Sequence, residues 1–326
     1  MCLYPTLIDN PKYKANKKNK GVIPNVGDER IKLVPIGCGN CYECRKKKQR
    51  EWIVRLEEEI KEKKNGKFIT LTFDKKSLRR LSKIAKKNKK DIDGYELDNE
   101  IARIAVRRWT ENYRVQTKKN LRHWLITELG HGKTEHLHMH GIIWVDDINE
   151  ATELWKYGYV WDGKKDTTGR KENYVNGKTI GYIVKYITKI DEEHKAYKPK
   201  IYASKGIGAG YMKRTDWEQN VYKPKDTDES YTTKKGHRLA LPIYYRNKIY
   251  NEDEREDLWI QKLDEQKRYV WGEEVSIRKN DKKYNILVNW YREKNKRLGY
   301  GKHISREEKE YERKRRIIIQ NTRIAE

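Results

Sequence analysis

Histidines, tyrosines and cysteines are the residues of this chain best placed to do chemistry, and each type recurs at a short, regular spacing. His136, His138 and His140 alternate with Leu137 and Met139 in the run Glu135-His136-Leu137-His138-Met139-His140-Gly141-Ile142-Ile143-Trp144. Alternate side chains of an extended strand share one face at roughly 7 Å spacing, so neighbouring imidazoles there can hold a single metal ion. Tyr182 and Tyr186 stand four residues apart, and each is followed three residues later by a lysine, Lys185 and Lys189. On a helix these four lie within roughly 100° of arc. A tyrosine beside an ammonium is a competent covalent nucleophile toward a phosphodiester, because the charge stabilises the phenolate. Plainer readings stand beside both: a basic strand facing water or nucleic acid, and an amphipathic helix with solvated lysines.

The four cysteines are Cys2, Cys38, Cys41 and Cys44. The run Cys38-Gly39-Asn40-Cys41-Tyr42-Glu43-Cys44 has the tight spacing of a metal knuckle, and Cys2 can complete a structural zinc site of four thiolates. Iron–sulfur ligation needs similar spacings, and unligated thiols are the third reading. With no secretory signal in the sequence, a reducing compartment is expected and disulfides are not.

The elements that must position these residues follow from periodicity. Residues 11–30 read as an irregular basic arm. Arg45-Lys46-Lys47-Lys48-Gln49-Arg50 leads into a helix marked by Ile53, Leu56 and Ile60. Lys67 to Phe73 alternates strictly as a strand, with Ile69, Leu71 and Phe73 on a core face and the hydroxyls of Thr70 and Thr72 on the other. Helical patterns follow near 75–89 and 96–117. Arg122 to Glu128 reads as a strand that turns through Lys133 into the histidine strand, making a hairpin with Glu128 at its rim. A carboxylate there can be a third metal ligand or can pair with a lysine or arginine. A short helix near 148–156 and a strand at Tyr159-Val160-Trp161 precede the tyrosine helix near 179–190. That helix has Ile180, Ile183, Val184, Ile187 and Ile190 on its apolar side. Lys205-Gly206-Ile207-Gly208-Ala209-Gly210-Tyr211 is either a phosphate-facing loop or a tight turn that needs positive φ. Beyond 251 the chain is strongly charged and helical in pattern. It ends in the basic run Arg313-Lys314-Arg315-Arg316, which reads as a DNA-binding or host-contact appendage or as a solvated tail.

Composition narrows the partner. The 326 residues carry a formal charge of +26 with only 36% apolar content, more charge than solubility requires, so a polyanion is implied. Twenty-three Tyr and ten Trp set stacking platforms for unpaired bases among the lysines and arginines. An acidic membrane surface would attract the same charge, but there is no apolar run of spanning length and no signal-peptide core.

Thr70-Leu71-Thr72, then His138-Met139-His140, then Tyr182-x-x-Lys185-Tyr186-x-x-Lys189 form an ordered series that resembles the HUH superfamily of rolling-circle replication initiators. More narrowly, the chain resembles the initiators of gokushovirus-like microviruses, small single-stranded DNA phages of the Microviridae. Met1-Cys2-Leu3-Tyr4-Pro5, the Cys38–Cys44 run, Ala203-Ser204-Lys205-Gly206-Ile207-Gly208 and Leu241-Pro242-Ile243-Tyr244-Tyr245 extend the likeness over residues 1–250.

The resemblance implies His138 and His140 as metal ligands, Glu128 as the third, and Tyr182 and Tyr186 as nucleophiles assisted by Lys185 and Lys189. His136 stands where the family more often has another residue, and its role stays open. The tyrosines follow the histidines, the order of replication initiators rather than of conjugative relaxases. The implied function is a metal-dependent DNA endonuclease and strand transferase that uses Mg²⁺ or Mn²⁺. It nicks single-stranded DNA at a replication origin through a covalent 5′-phosphotyrosine and rejoins strands.

Expected DNA contacts are Arg45, Lys46, Lys47, Lys48, Lys205, Thr70 and Thr72. No Walker motif appears, so a host helicase would unwind and a host polymerase extend, in the cytoplasm of a bacterial host and with no membrane partner. The alternatives are a non-catalytic zinc-containing nucleic-acid-binding protein and a hydrolytic zinc nuclease. The expected fold is α+β, a central antiparallel sheet with helices on its faces and a charged helical C-terminal extension. Three domains are expected: 1–66, a basic arm with knuckle and helix; 67–250, the endonuclease core; and 251–326, the extension.

Overall fold

The computed structural model describes residues 1–132, 135–165, 171–234, 236–278, 280–301 and 305–325. Lys133, the expected turn residue of the central hairpin, lies outside them. The chain divides into two compact units, one built from residues 1–51 and 214–303, the other from 52–213 and 304–326.

The second unit is organised on a wholly antiparallel five-stranded sheet. Its order is Val160–Trp161, Gly66–Thr72, Leu137–Trp144, Arg122–Leu129 and Ile201–Ala203. The α+β class and the helix-flanked sheet are as the periodicity predicts. Period-two alternation sends successive residues of the central histidine strand into two different cores. Leu137, Met139 and Ile143 join Ile69, Leu71 and Leu125 beneath the helices Lys75–Asn88 and Gly94–Thr117. Ile142 and Trp144 join Trp124 and Ile126 on the opposite face.

That second core holds the tyrosine helix, Gly177–Thr188. Its Ile180, Ile183, Val184 and Ile187 are buried against the sheet, each worth about 1.5–3 kcal/mol of burial. Asn176 starts the helix, its side chain accepting from the backbone N–H of Lys178 at 2.8 Å and of Thr179 at 3.1 Å. Leu56, from the helix Tyr42–Glu62, packs into the same layer.

The C-terminal helix Arg306–Ala325 is part of this unit. Arg316 is fully buried and donates to Asp98 Oδ2 at 2.7 Å and to Glu135 Oε2 at 2.9 Å. Arg315 also pairs with Glu135, and Arg313 with Asp93 at 2.5 Å. Three residues of the terminal basic run are thus engaged with acidic groups of the protein itself.

The first unit contains short hairpins, Thr6–Asp9 with Leu33–Ile36, Ser230–Thr232 with Arg238–Ala240, and Lys267–Val270 with Glu273–Ser276. Its helices are Ile243–Ile249, Glu252–Asp264 and Lys282–Arg297, together with the first turns of Tyr42–Glu62. The arm 11–30 is irregular apart from two short 3-10 turns. The three- and four-residue strands, including Ile201–Ala203, carry too few residues for a periodic signal. Among the described residues, no helix is long and apolar enough to cross a membrane.

Candidate active site

Register sets the site. On the histidine strand His138 is paired with Glu128 on one side and Thr72 on the other, while His140 is paired with Ile126 and Thr70. Glu128 reaches diagonally across the strands, and its Oε2 lies 2.9 Å from His140 Nε2. Its other oxygen accepts from Lys189 Nζ at 2.5 Å, so the tyrosine helix is tied to the carboxylate from the layer above. Burial pushes the Glu128 carboxyl up, but the hydrogen bonds from His140 and Lys189 outweigh it and hold the group below the usual carboxylate range.

Thr70 Oγ1 lies 2.9 Å from His140 Nδ1. A hydroxyl both donates and accepts, so Thr70 supports the imidazole whether Nε2 carries the proton for Glu128 or gives it up to a cation. The His138 ring stands 6.3 Å from that of His140, inclined by 18°. Burial, and then the adjacent His140, lower its pKa, which keeps His138 in the neutral form a metal requires. Gly130 makes room for it: a Cβ at this position would sit 2.7 Å from His138 Cε1.

The tyrosines close the site from the helix side. Tyr186 stacks on His140 with ring centroids 4.8 Å apart at 7°, and the hydroxyls of Tyr182 and Tyr186 are 2.9 Å apart. Phe68 packs edge-on to Tyr182 at 6.0 Å and nearly parallel to His140 at 6.5 Å. Lys189 Nζ also lies over the Tyr186 ring, 5.7 Å from its centroid. Tyr182 is half exposed, whereas Tyr186 is more enclosed. Burial, the hydrogen bond with Tyr182 and the negative charge of Glu128 push the Tyr186 phenol well above its ordinary range. Lys185 is exposed on the same helix.

The other sequence-identified residues lie elsewhere. His136 immediately precedes the strand, and its carbonyl accepts from Gly130 N–H at 2.8 Å. The Thr72 hydroxyl is engaged with the backbone of Tyr159, donating to the carbonyl at 3.0 Å and accepting from the N–H at 2.9 Å. Lys205 is exposed beside a turn in which Gly206 and Gly208 have φ of 74° and 77°. The Gly208 N–H donates to Glu59 Oε2 at 2.7 Å, so it is positive φ, not an amide open to phosphate, that requires a glycine there. In the first unit, Arg45 lies over the Tyr300 ring at 5.6 Å and Lys46 over Tyr42 at 5.5 Å, while Lys47 and Lys48 continue the same helix. The sulfurs of Cys2, Cys38, Cys41 and Cys44 lie within 4.8 Å of one another, an arrangement compatible with a metal.

Two features escape the sequence. Thr70 carries no mark that pairs it with His140, since the contact depends on a strand seventy residues away. His131, Asp191 and His194 also bring ligand-type atoms within 4.8 Å of one another. The buried His194 has one ring nitrogen 2.6 Å from Asp191 and the other 2.9 Å from Glu135. Only the crowding of His131 among five histidines between His123 and His140 hinted at it.

Residues 66–191 match the model of the replication-associated protein family that takes its description from ORF2. The span takes in the Thr70 strand, the Glu128–His138 hairpin and the tyrosine helix, that is, every residue gathered at the site. The match supports a replication initiator of the rolling-circle kind, with DNA as the partner, and is consistent with a nickase. No curated protein and no solved structure matches the chain.

Proposed function

We propose that the chain is a replication-initiation endonuclease that nicks single-stranded DNA at an origin through a covalent 5′-phosphotyrosine and rejoins strands during rolling-circle replication. The observation that carries this is the Tyr182–Tyr186 hydroxyl pair set against His140 and Glu128. A nucleophile pair and a candidate cation-binding group thereby share one small surface.

The donor set fits a divalent ion. Glu128 Oε2 and His140 Nε2 already converge, Thr70 orients the imidazole from behind, and His138 is a neutral ring on the same face. Mg²⁺ or Mn²⁺ held by His138, His140 and Glu128, with His136 as a further donor close in sequence, would supply charge that polarises the scissile phosphate.

The chain's own residues do the rest. The phenolic oxygen of Tyr182 or Tyr186 attacks phosphorus, and the bond from phosphorus to the 3′ oxygen breaks. The phenol proton leaves to solvent through the neighbouring hydroxyl, and the departing 3′ oxygen takes up a proton. The products are a 5′-phosphotyrosine and a free 3′-hydroxyl for a host polymerase. Lys185 and Lys189 offset the charge that develops on the phenolate and phosphate. Phe68 and the tyrosine rings give an unpaired base an aromatic wall. Lys205, and in the first unit Arg45, Lys46, Lys47 and Lys48, contribute charge that attracts the phosphate backbone. Joining is the reverse, a 3′-hydroxyl attacking the phosphotyrosine while the second tyrosine stands ready for the next break.

The test is incubation of the full chain with single-stranded origin oligonucleotides and Mn²⁺ or Mg²⁺, against a chelator control. Cation-dependent cleavage to a polymerase-extendable 3′ end is expected. Salt-sensitive binding without cleavage would point instead to a non-catalytic nucleic-acid-binding protein.

A further inference from the structure

We propose that Cys2, Cys38, Cys41 and Cys44 bind one zinc ion, and that this ion organises the unit formed by residues 1–51 and 214–303. The site differs from the histidine centre in donor chemistry and stands whether or not the chain is a nickase.

Spacing selects a single ion. All four sulfurs lie within 4.8 Å of one another, with Cys2 Sγ and Cys41 Sγ 3.8 Å apart. Four thiolates around a tetrahedral zinc at about 2.3 Å place their sulfurs about 3.8 Å from one another. An iron–sulfur cluster spreads its cysteines over several irons and so holds them farther apart. Disulfides are not the explanation, since all four cysteines are free and 3.8 Å far exceeds a sulfur–sulfur bond.

The surroundings are those of thiolate ligands. Cys2 Sγ accepts from the backbone N–H groups of Tyr4 at 3.3 Å and Cys38 at 3.2 Å, and Cys38 Sγ accepts from Cys41 N–H at 3.3 Å. Such N–H···S contacts orient sulfur ligands and offset their negative charge. The buried Cys41 packs with Leu3, Val270, Val288 and Tyr291, so the group is shielded on one side by an apolar shell.

The same cluster joins segments remote in sequence. Met1 contributes its amino group to Glu43 at 2.9 Å, Arg292 donates to the Leu3 carbonyl at 2.8 Å, and Asn295 accepts from Tyr42 N–H at 2.9 Å. With a core this small, closing loops of some 250 residues is costly, and a metal bridge that exists only in the folded state offsets that cost.

Elemental analysis of the full chain, purified without added metal, should give one zinc per chain. The His140→Ala variant should keep it, and Cys41→Ser should lose it while residues 1–51 and 214–303 become sensitive to protease. Because Cys41→Ser can fail to accumulate, cobalt exchange into the wild-type chain provides an independent readout. The intense thiolate-to-cobalt charge-transfer band and tetrahedral visible bands are expected. A folded chain with no stoichiometric zinc would overturn the proposal, as would iron with acid-labile sulfide or zinc lost with His140→Ala yet kept with Cys41→Ser.

Discussion

The ring of Tyr186 lies flat on the imidazole of His140, 4.8 Å between centroids and 7° from parallel. One side chain therefore serves both as a wall of the histidine centre and as a nucleophile candidate, and two substitutions separate the roles. Tyr186→Phe keeps the stack and loses only the hydroxyl, so it should change stability by under about 1 kcal/mol while disturbing cleavage. Tyr186→Ala also removes the wall and should cost more. Thermal denaturation alongside a cleavage assay checks both, and equal destabilisation by the two variants would contradict the assignment.

Thr70 acts on His140 from behind, 2.9 Å from Nδ1. Thr70→Val keeps the shape of the strand and removes the hydrogen bond. Loss of such an outer partner typically weakens metal binding about 10–100-fold. The Mn²⁺ concentration that supports half-maximal cleavage should rise by that factor, and Thr70→Ser should restore it.

Gly130 is needed for space, since an added Cβ would stand 2.7 Å from His138 Cε1. Gly130→Ala should displace the imidazole, weaken cation binding measured by calorimetry, and cost about 1–3 kcal/mol of stability through overpacking. Unchanged cation binding would show that the position of this ring is unimportant.

The buried network of His194, Asp191, Glu135, Arg315 and Arg316 predicts a pH-dependent stability. Burial lowers the His194 pKa, but hydrogen bonding and charge from Asp191, and then Glu135, more than reverse this and raise it. A raised histidine pKa contributes stability that is full below the unfolded value of about 6.5 and is lost as pH rises through the folded value. Asp191 and Glu135 are held below the carboxylate range by their cationic partners despite burial, so their contribution is lost as pH falls. The melting-temperature difference between wild type and His194→Gln should be largest near about pH 5.5 and shrink toward alkaline pH. Removing Arg316 as Arg316→Ala should cost about 3–5 kcal/mol in urea denaturation, because Asp98 and Glu135 stay buried without it.

Much of this centre is legible in the order of residues. Alternation in Leu137–Trp144 places His138 and His140 together, the helical spacing of Ile180, Ile183, Val184 and Ile187 leaves Tyr182 and Tyr186 on the open side, and a hairpin puts Glu128 beside the histidines. Contacts between strands far apart in sequence are not legible. Thr70 meets His140 only because Gly66–Thr72 pairs with Leu137–Trp144 in one particular register. Lys189 was expected to serve the tyrosines by its charge, and the fold also ties it to Glu128. Arg316 looks like a solvated residue of a basic tail, because composition cannot reveal that Asp98 and Glu135 await it in the interior. The strand Ile201–Ala203 is too short to announce itself.

The central claim is tested most directly by mapping a covalent adduct. The full chain, mixed with single-stranded origin DNA and Mn²⁺, denatured and digested, should yield a peptide carrying a 5′-linked nucleotide on Tyr182 or Tyr186. The double variant Tyr182→Phe, Tyr186→Phe should yield none while still binding DNA. A denaturation-resistant adduct that persists in the double variant, or cleavage by the wild type with no adduct at all, would contradict the tyrosine mechanism.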